Sequence, residues 1–226
     1  MATAWEDSIK ASKQLTVFPT ESLRKSTAWG PIFKLAITEF NGLSATHKLG
    51  VTLVETATAP DPDGDGGANI QCDIGNGSAK GKAAGQEFDE PFSATEVHGL
   101  TKVFRRSFGN NPARVFKCLV FVPARPTVQP PVVKGSGRLR LVGDGVRLFV
   151  MVHELVHATG GLNNSEHSPE DIADVFLGPP QASPTVDADT DPKKDKVRVG
   201  AFPNFSRFPP LTLSARTAGL IQSSWI

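Results

Sequence analysis

The chain has 226 residues, 24 Lys and Arg against 23 Asp and Glu for a net charge of +1, and a mean hydropathy of −0.17. That length suits one domain with a sizeable core, and the balanced charge leaves no global field for nucleic acid or an anionic membrane, so neither is an expected partner. No stretch approaches the roughly 18 apolar residues of a membrane span, and the polar opening MATAWEDSIKASKQL lacks the apolar core of an export signal, so the expected location is the cytoplasm or the product of a non-classical export route.

In chain order, QLTVFP at 14–19 reads as a short strand and ESLRKSTAWG as a helix or turn. PIFKLAITEFNGLSATHKLG, from Pro31 to Gly50, spaces Ile32, Leu35, Ala36, Phe40 and Leu43 as a helix, with Pro31 suited to its first turn and a break expected near Asn41 and Gly42. VTLVET at 51–56 is strand-like, PDPDGDGG at 60–67 a loop, and ANIQCDIG at 68–75 a strand with one buried face. Residues 76–95 read as a long loop or hairpin, and about 98–108 stays open between strand and helix. RVFKCLVFVPA at 114–124 is almost continuously apolar, as a central strand is, and RPTVQPPVVKGSG is a Pro-rich connector. Further on, SPEDIADVF at 168–176 suggests a short helix, 178–196 is irregular, and TLSARTAGLIQSSW closes as a terminal helix near 212–225. The two cysteines, Cys72 and Cys118, are expected to be free and buried.

The element that carries chemistry is DGVRLFVMVHELVHATGG, which starts at Asp144 and stops at the pair Gly160 and Gly161. Its apolar run from Val146 to Ala158 implies a helix buried nearly all round, in which His153, Glu154 and His157 are costly unless something pairs with them. His153 and His157 are one helical turn apart, so both imidazoles share a face and can meet one zinc ion at about 2.0–2.1 Å. Glu154 is placed to act on a water at that ion as general base, the arrangement of a metal-assisted hydrolase. Two imidazoles and one further ligand would leave a fourth position open, whereas a structural site is closed by four protein ligands.

The stretch resembles the metzincin branch of the zinc metallopeptidases, whose pattern HExxHxxGxxH is met at His153, Glu154, His157 and Gly160. Asn163 stands where that family has its third histidine, and His167 follows four residues later. His167 is expected as the third zinc ligand, because imidazole binds zinc better than carboxamide; Asn163, Glu166, Asp171 and Asp174 stay open as alternatives, the last two also as groups that orient a ligand. The family's methionine turn has no counterpart, since the only methionines are Met1 and Met151, so another residue in 177–210 is expected to floor the metal. The resemblance implies one α/β (α+β) zincin-like domain over 1–226: an N-terminal part to about 160 with a twisted mixed sheet and two long helices, a smaller part from about 161, and a cleft between them. It also implies a sheet-edge strand, somewhere in 80–108, along which a peptide substrate lies.

The remaining motifs are weaker. DPDGDG at 61–66 imitates a calcium loop through Asp61, Asp63, Asp65 and Gly66, yet Cys72 occupies the twelfth position where such a loop needs Glu, so a plain turn is expected over Ca2+ binding. DADTD at 187–191 reads as a solvated loop, and Arg105, Arg106, Arg114 and Lys117 as a solvated face or the rim of a substrate cleft. His47 and His98 are expected at the surface or a helix end. Without tyrosine, stabilisation of a developing oxyanion falls to the metal, an arginine or a backbone amide. The expected function is therefore zinc-dependent endopeptidase activity on a protein or peptide. Two alternatives are a narrowly targeted effector or toxin peptidase carried by a secretion system or phage, and a binding protein with an inert zinc site.

Overall fold

The computed structural model describes residues 3–107, 109–128, 140–160, 186–187, 196–197, 211, 213 and 215–225. Its centre is a five-stranded mixed sheet built from β1 (Gln14–Pro19), β2 (Thr52–Glu55), β3 (Ile70–Gly75), β6 (Leu100–Arg106) and β7 (Arg114–Pro123) in the order β2-β1-β3-β7-β6. The first four strands in that order are parallel and β6 runs antiparallel to β7. Parallel neighbours need crossover connections, and the chain supplies one through α2 (Glu21–Lys25) and α3 (Gly30–His47) between β1 and β2. Thr20 caps α2, its hydroxyl accepting from the Leu23 amide, and Pro31 sits in the first turn of α3.

One face of the sheet carries the main core. Leu15, Val17, Leu53, Ile70, Cys72, Val103, Cys118, Val120 and Val122 pack there against α3 and α4 (Asp144–Gly160). The other face of β6 and β7 is covered by a hairpin of β4 (Gly77–Ala83) and β5 (Gln86–Phe92), whose Ala79, Ala83 and Phe88 pack on Phe104, Phe116, Leu119 and Phe121. Burial on both faces is why β7 reads as a continuous apolar run. Residues 76–95 thus form a hairpin, and the open segment at 98–108 is a strand.

The break expected near Asn41 and Gly42 does not occur: α3 runs unbroken to His47. The Asn41 carboxamide instead faces β2, donating to Leu53 O at 2.9 Å and accepting from Leu53 N at 2.8 Å, so a helix residue satisfies part of the sheet margin. Unanticipated pieces include a one-turn helix α1 (Asp7–Lys10) and a short pair, β8 (Thr127–Val128) with β9 (Arg140–Leu141), which brackets the Pro-rich connector. A second short pair joins β10 (Val186–Asp187) to β11 (Lys196–Val197). The terminal helix α5 (Ala215–Trp225) buries Ala218, Ile221 and Trp225 in the main core, and Gln222 Nε2 donates to His47 O at 2.8 Å at the end of α3. No helix among the described residues is long and apolar enough to cross a membrane.

Candidate metal centre

The expected start of α4 holds, and the helix is described through Gly160. Asp144 lies in its first turn, where a carboxylate suits the positive end of the helix, and it accepts from Arg147 Nη1 at 2.8 Å. From Gly145 to Gly160 every residue is buried except His153. The terminal carbonyls, which a helix cannot satisfy internally, are met by side chains from both ends of the chain. Trp5 Nε1 donates to Ala158 O at 3.2 Å, Trp225 Nε1 to Thr159 O at 2.9 Å and Ser224 Oγ to Gly160 O at 3.4 Å. The two indoles approach each other at 6.4 Å between centroids. These donors and the packing of α4 on α3, β6 and β7 fix the place of its second half.

On that half His153 and His157 meet as their spacing requires. Their Nε2 atoms are 3.1 Å apart, with the rings edge to face at 4.7 Å between centroids. Two imidazoles bound tetrahedrally to zinc at about 2.0–2.1 Å have nitrogens roughly 3.3 Å apart, so the separation of this pair is close to that of two zinc ligands. His157 is 1% exposed, while His153 is only partly buried and packs against Phe149 at 5.8 Å between centroids. The donor pair therefore spans the boundary between core and surface, which suits a metal that must reach solvent.

Glu154 leaves α4 towards β6 and is 1% exposed. Its Oε2 lies 2.7 Å from Thr101 Oγ1, and its backbone oxygen lies 3.1 Å from the same hydroxyl. Burial pushes the carboxyl pKa up to about 8, against a smaller lowering by the Thr101 hydrogen bond. A carboxyl poised near neutrality suits a group that must both take and return a proton. Behind it is Gly99: a Cβ there would come within 2.3 Å of Glu154 Cγ and 2.7 Å of Oε1. Gly99 and Thr101 were not singled out in the sequence, and nothing local marks them, because Thr101 meets Glu154 across 53 positions of chain.

The proposed third ligand, His167, lies outside the described residues, as do Asn163, Glu166, Asp171, Asp174 and the helix expected at 168–176. The segment expected to floor the metal, 177–210, is described only at β10 and β11. Among the described residues no group of three or more His, Cys, Asp or Glu side chains converges as a metal site. Within 80–108, β6 is the strand at the edge of the five-stranded sheet, antiparallel to its neighbour.

At the loop that imitates a calcium site, protein cations already occupy the oxygens. Lys117 Nζ donates to Gly66 O at 2.7 Å and Ala68 O at 2.6 Å, Asp63 pairs with Lys82 at 2.6 Å, and Asp65 pairs with Arg106. The reading of the basic stretch as a solvated face or cleft rim is corrected at Lys117 and Arg106 by the same contacts. Lys117 is 2% exposed, its pKa lowered by burial, and Arg106 is clamped by Glu6 and Asp65 while lying 4.8 Å from the Phe116 ring centre. Cys72 and Cys118 are free and buried as expected, and burial pushes both thiols up. His47 ends α3 and His98 is exposed.

No family model, curated protein or solved structure matches the chain, so the residues themselves carry the reading of this site.

Proposed function

We propose that the protein is a zinc-dependent endopeptidase of zincin-like architecture, with His153 and His157 as two zinc ligands, His167 as the third and Glu154 as general base. The observation that carries this reading is the approach of the His153 and His157 Nε2 atoms to 3.1 Å on a helix whose intervening Glu154 is buried beside them. A zinc ion held there would supply a Lewis acid for the scissile carbonyl and an acidified water as nucleophile. With zinc bound, Glu154 would be the residue that takes the proton from the attacking water and returns it to the leaving amine. Partial exposure of His153 gives substrate an approach to the ligand pair, and Thr101 of β6 contacts the base. The chemistry suits an unfolded protein or peptide as substrate.

The test is cleavage of casein by the purified chain, with and without a chelator, beside Glu154→Gln. Cleavage that is abolished by chelation, restored by zinc and absent in Glu154→Gln supports the proposal. Full activity of Glu154→Gln removes Glu154 as base. Zinc binding without cleavage of any unfolded substrate favours the narrowly targeted peptidase or the inert binding site.

A further inference from the structure

The start of β6 and the residue just before it contact the side chain assigned as the base. The Thr101 hydroxyl lies 2.7 Å from Glu154 Oε2, and the Gly99 backbone is so close that a Cβ there would come within 2.3 Å of Glu154 Cγ. Thr101 is 1% exposed, so its hydroxyl contact is shielded from competing water. The same hydroxyl also reaches the Glu154 backbone oxygen at 3.1 Å, which ties it to the helix as well as to the carboxyl.

Resting on the peptidase reading, we infer that Thr101 and Gly99 are positioning residues for Glu154, the hydroxyl fixing one carboxyl oxygen and the glycine leaving the space that the side chain occupies. A hydroxyl has one proton and two acceptor lone pairs, so it can serve the base at both stages of turnover. While Glu154 is a carboxylate, Thr101 donates to Oε2. Once Glu154 carries on its other oxygen, Oε1, the proton taken from water, Thr101 goes on donating to Oε2, so the contact is kept. The proton stays on Glu154 until the leaving amine takes it, and the side chain holds its place throughout.

The experiment compares the wild type with Thr101→Val, Thr101→Ser and Gly99→Ala. The first reading is the Glu154 side-chain carboxyl carbon resonance of the metal-free chain, assigned by its loss in Glu154→Gln. The second is kcat and KM on casein with zinc bound. Thr101→Val, which keeps the β-branched shape, should move the resonance and lower kcat by ~10–100-fold at unchanged KM and zinc content. Thr101→Ser should restore both, and Gly99→Ala should move the resonance as Thr101→Val does, by pushing the carboxyl off the hydroxyl. An unmoved resonance in both Thr101→Val and Gly99→Ala, or an unchanged kcat in a folded, zinc-loaded Thr101→Val, overturns the inference. Absence of zinc and of cleavage in the wild type overturns the peptidase reading instead, and the positioning role for catalysis with it, whatever the resonance does.

Discussion

Replacing Glu154 with Gln should change how the stability of the metal-free chain depends on pH. Burial raises the folded-state pKa of Glu154 to about 8 from an unfolded value of 4.5, so between those values the folded chain binds the proton that the unfolded chain has lost. Stability that depends on this group is therefore present below pH 4.5 and is lost as pH rises towards 8. Each pKa unit corresponds to about 1.4 kcal/mol, so the loss between pH 5 and pH 8 amounts to about 3 kcal/mol. For a chain of this length that is a fall in Tm of roughly 10 °C. Glu154→Gln keeps a neutral side chain of similar shape whose amide oxygen can still accept from Thr101, and it has no proton to lose. In chelator-treated samples the two proteins should melt within a few degrees of each other at pH 5, and the variant should melt roughly 10 °C higher at pH 8. Calorimetry or circular dichroism across that range reads the difference directly. Parallel pH profiles for the two proteins would refute the assignment of Glu154 as a buried, proton-holding carboxyl.

Other expectations concern what holds α4 in place. Trp225→Phe keeps an aromatic ring but withdraws the indole donor from Thr159 O, and should cost about 1–3 kcal/mol in urea unfolding. Lys117→Met strips the ammonium from the carbonyls of Gly66 and Ala68, and should cost about 2–4 kcal/mol by the same measurement, with little effect on zinc content. An unchanged midpoint in either variant would show that its contact contributes nothing net. His167→Ala should lower zinc occupancy sharply by metal analysis; full occupancy would move the third ligand to Asn163 or to a carboxylate.

How far the sequence was legible follows the range of each signal. The start and the buried run of α4 are local, set by Asp144 and the apolar residues from Val146 to Ala158, and they match the structure. The convergence of His153 and His157 is local too, one turn of the same helix. The hairpin of β4 and β5 was open because GSAKGKA and QEFDEPF have little strand propensity. It is held by pairing, by packing of Ala79, Ala83 and Phe88 on the sheet, and by an ion pair between Lys80 and Asp89. The strand β6 was open for a related reason, since LTKVFRR is too short to distinguish periods and pairing with β7 decides it. Lys117 was misread because a lysine in a basic run gives no sign that a loop 49 positions earlier will fold over it. Trp5, Gln222 and Trp225 bond carbonyls far away in sequence, and no local pattern marks such partners.

The central claim is that His153 and His157 hold a zinc ion, and it is tested most directly by metal analysis of the purified chain with X-ray absorption at the zinc edge, beside His157→Ala. The account predicts one zinc per chain, imidazole nitrogens at about 2.0–2.1 Å, and loss of the metal in the variant. A wild type that takes up no zinc under saturating conditions would leave the 3.1 Å approach of the two rings as a hydrogen bond between histidines, and would contradict the account.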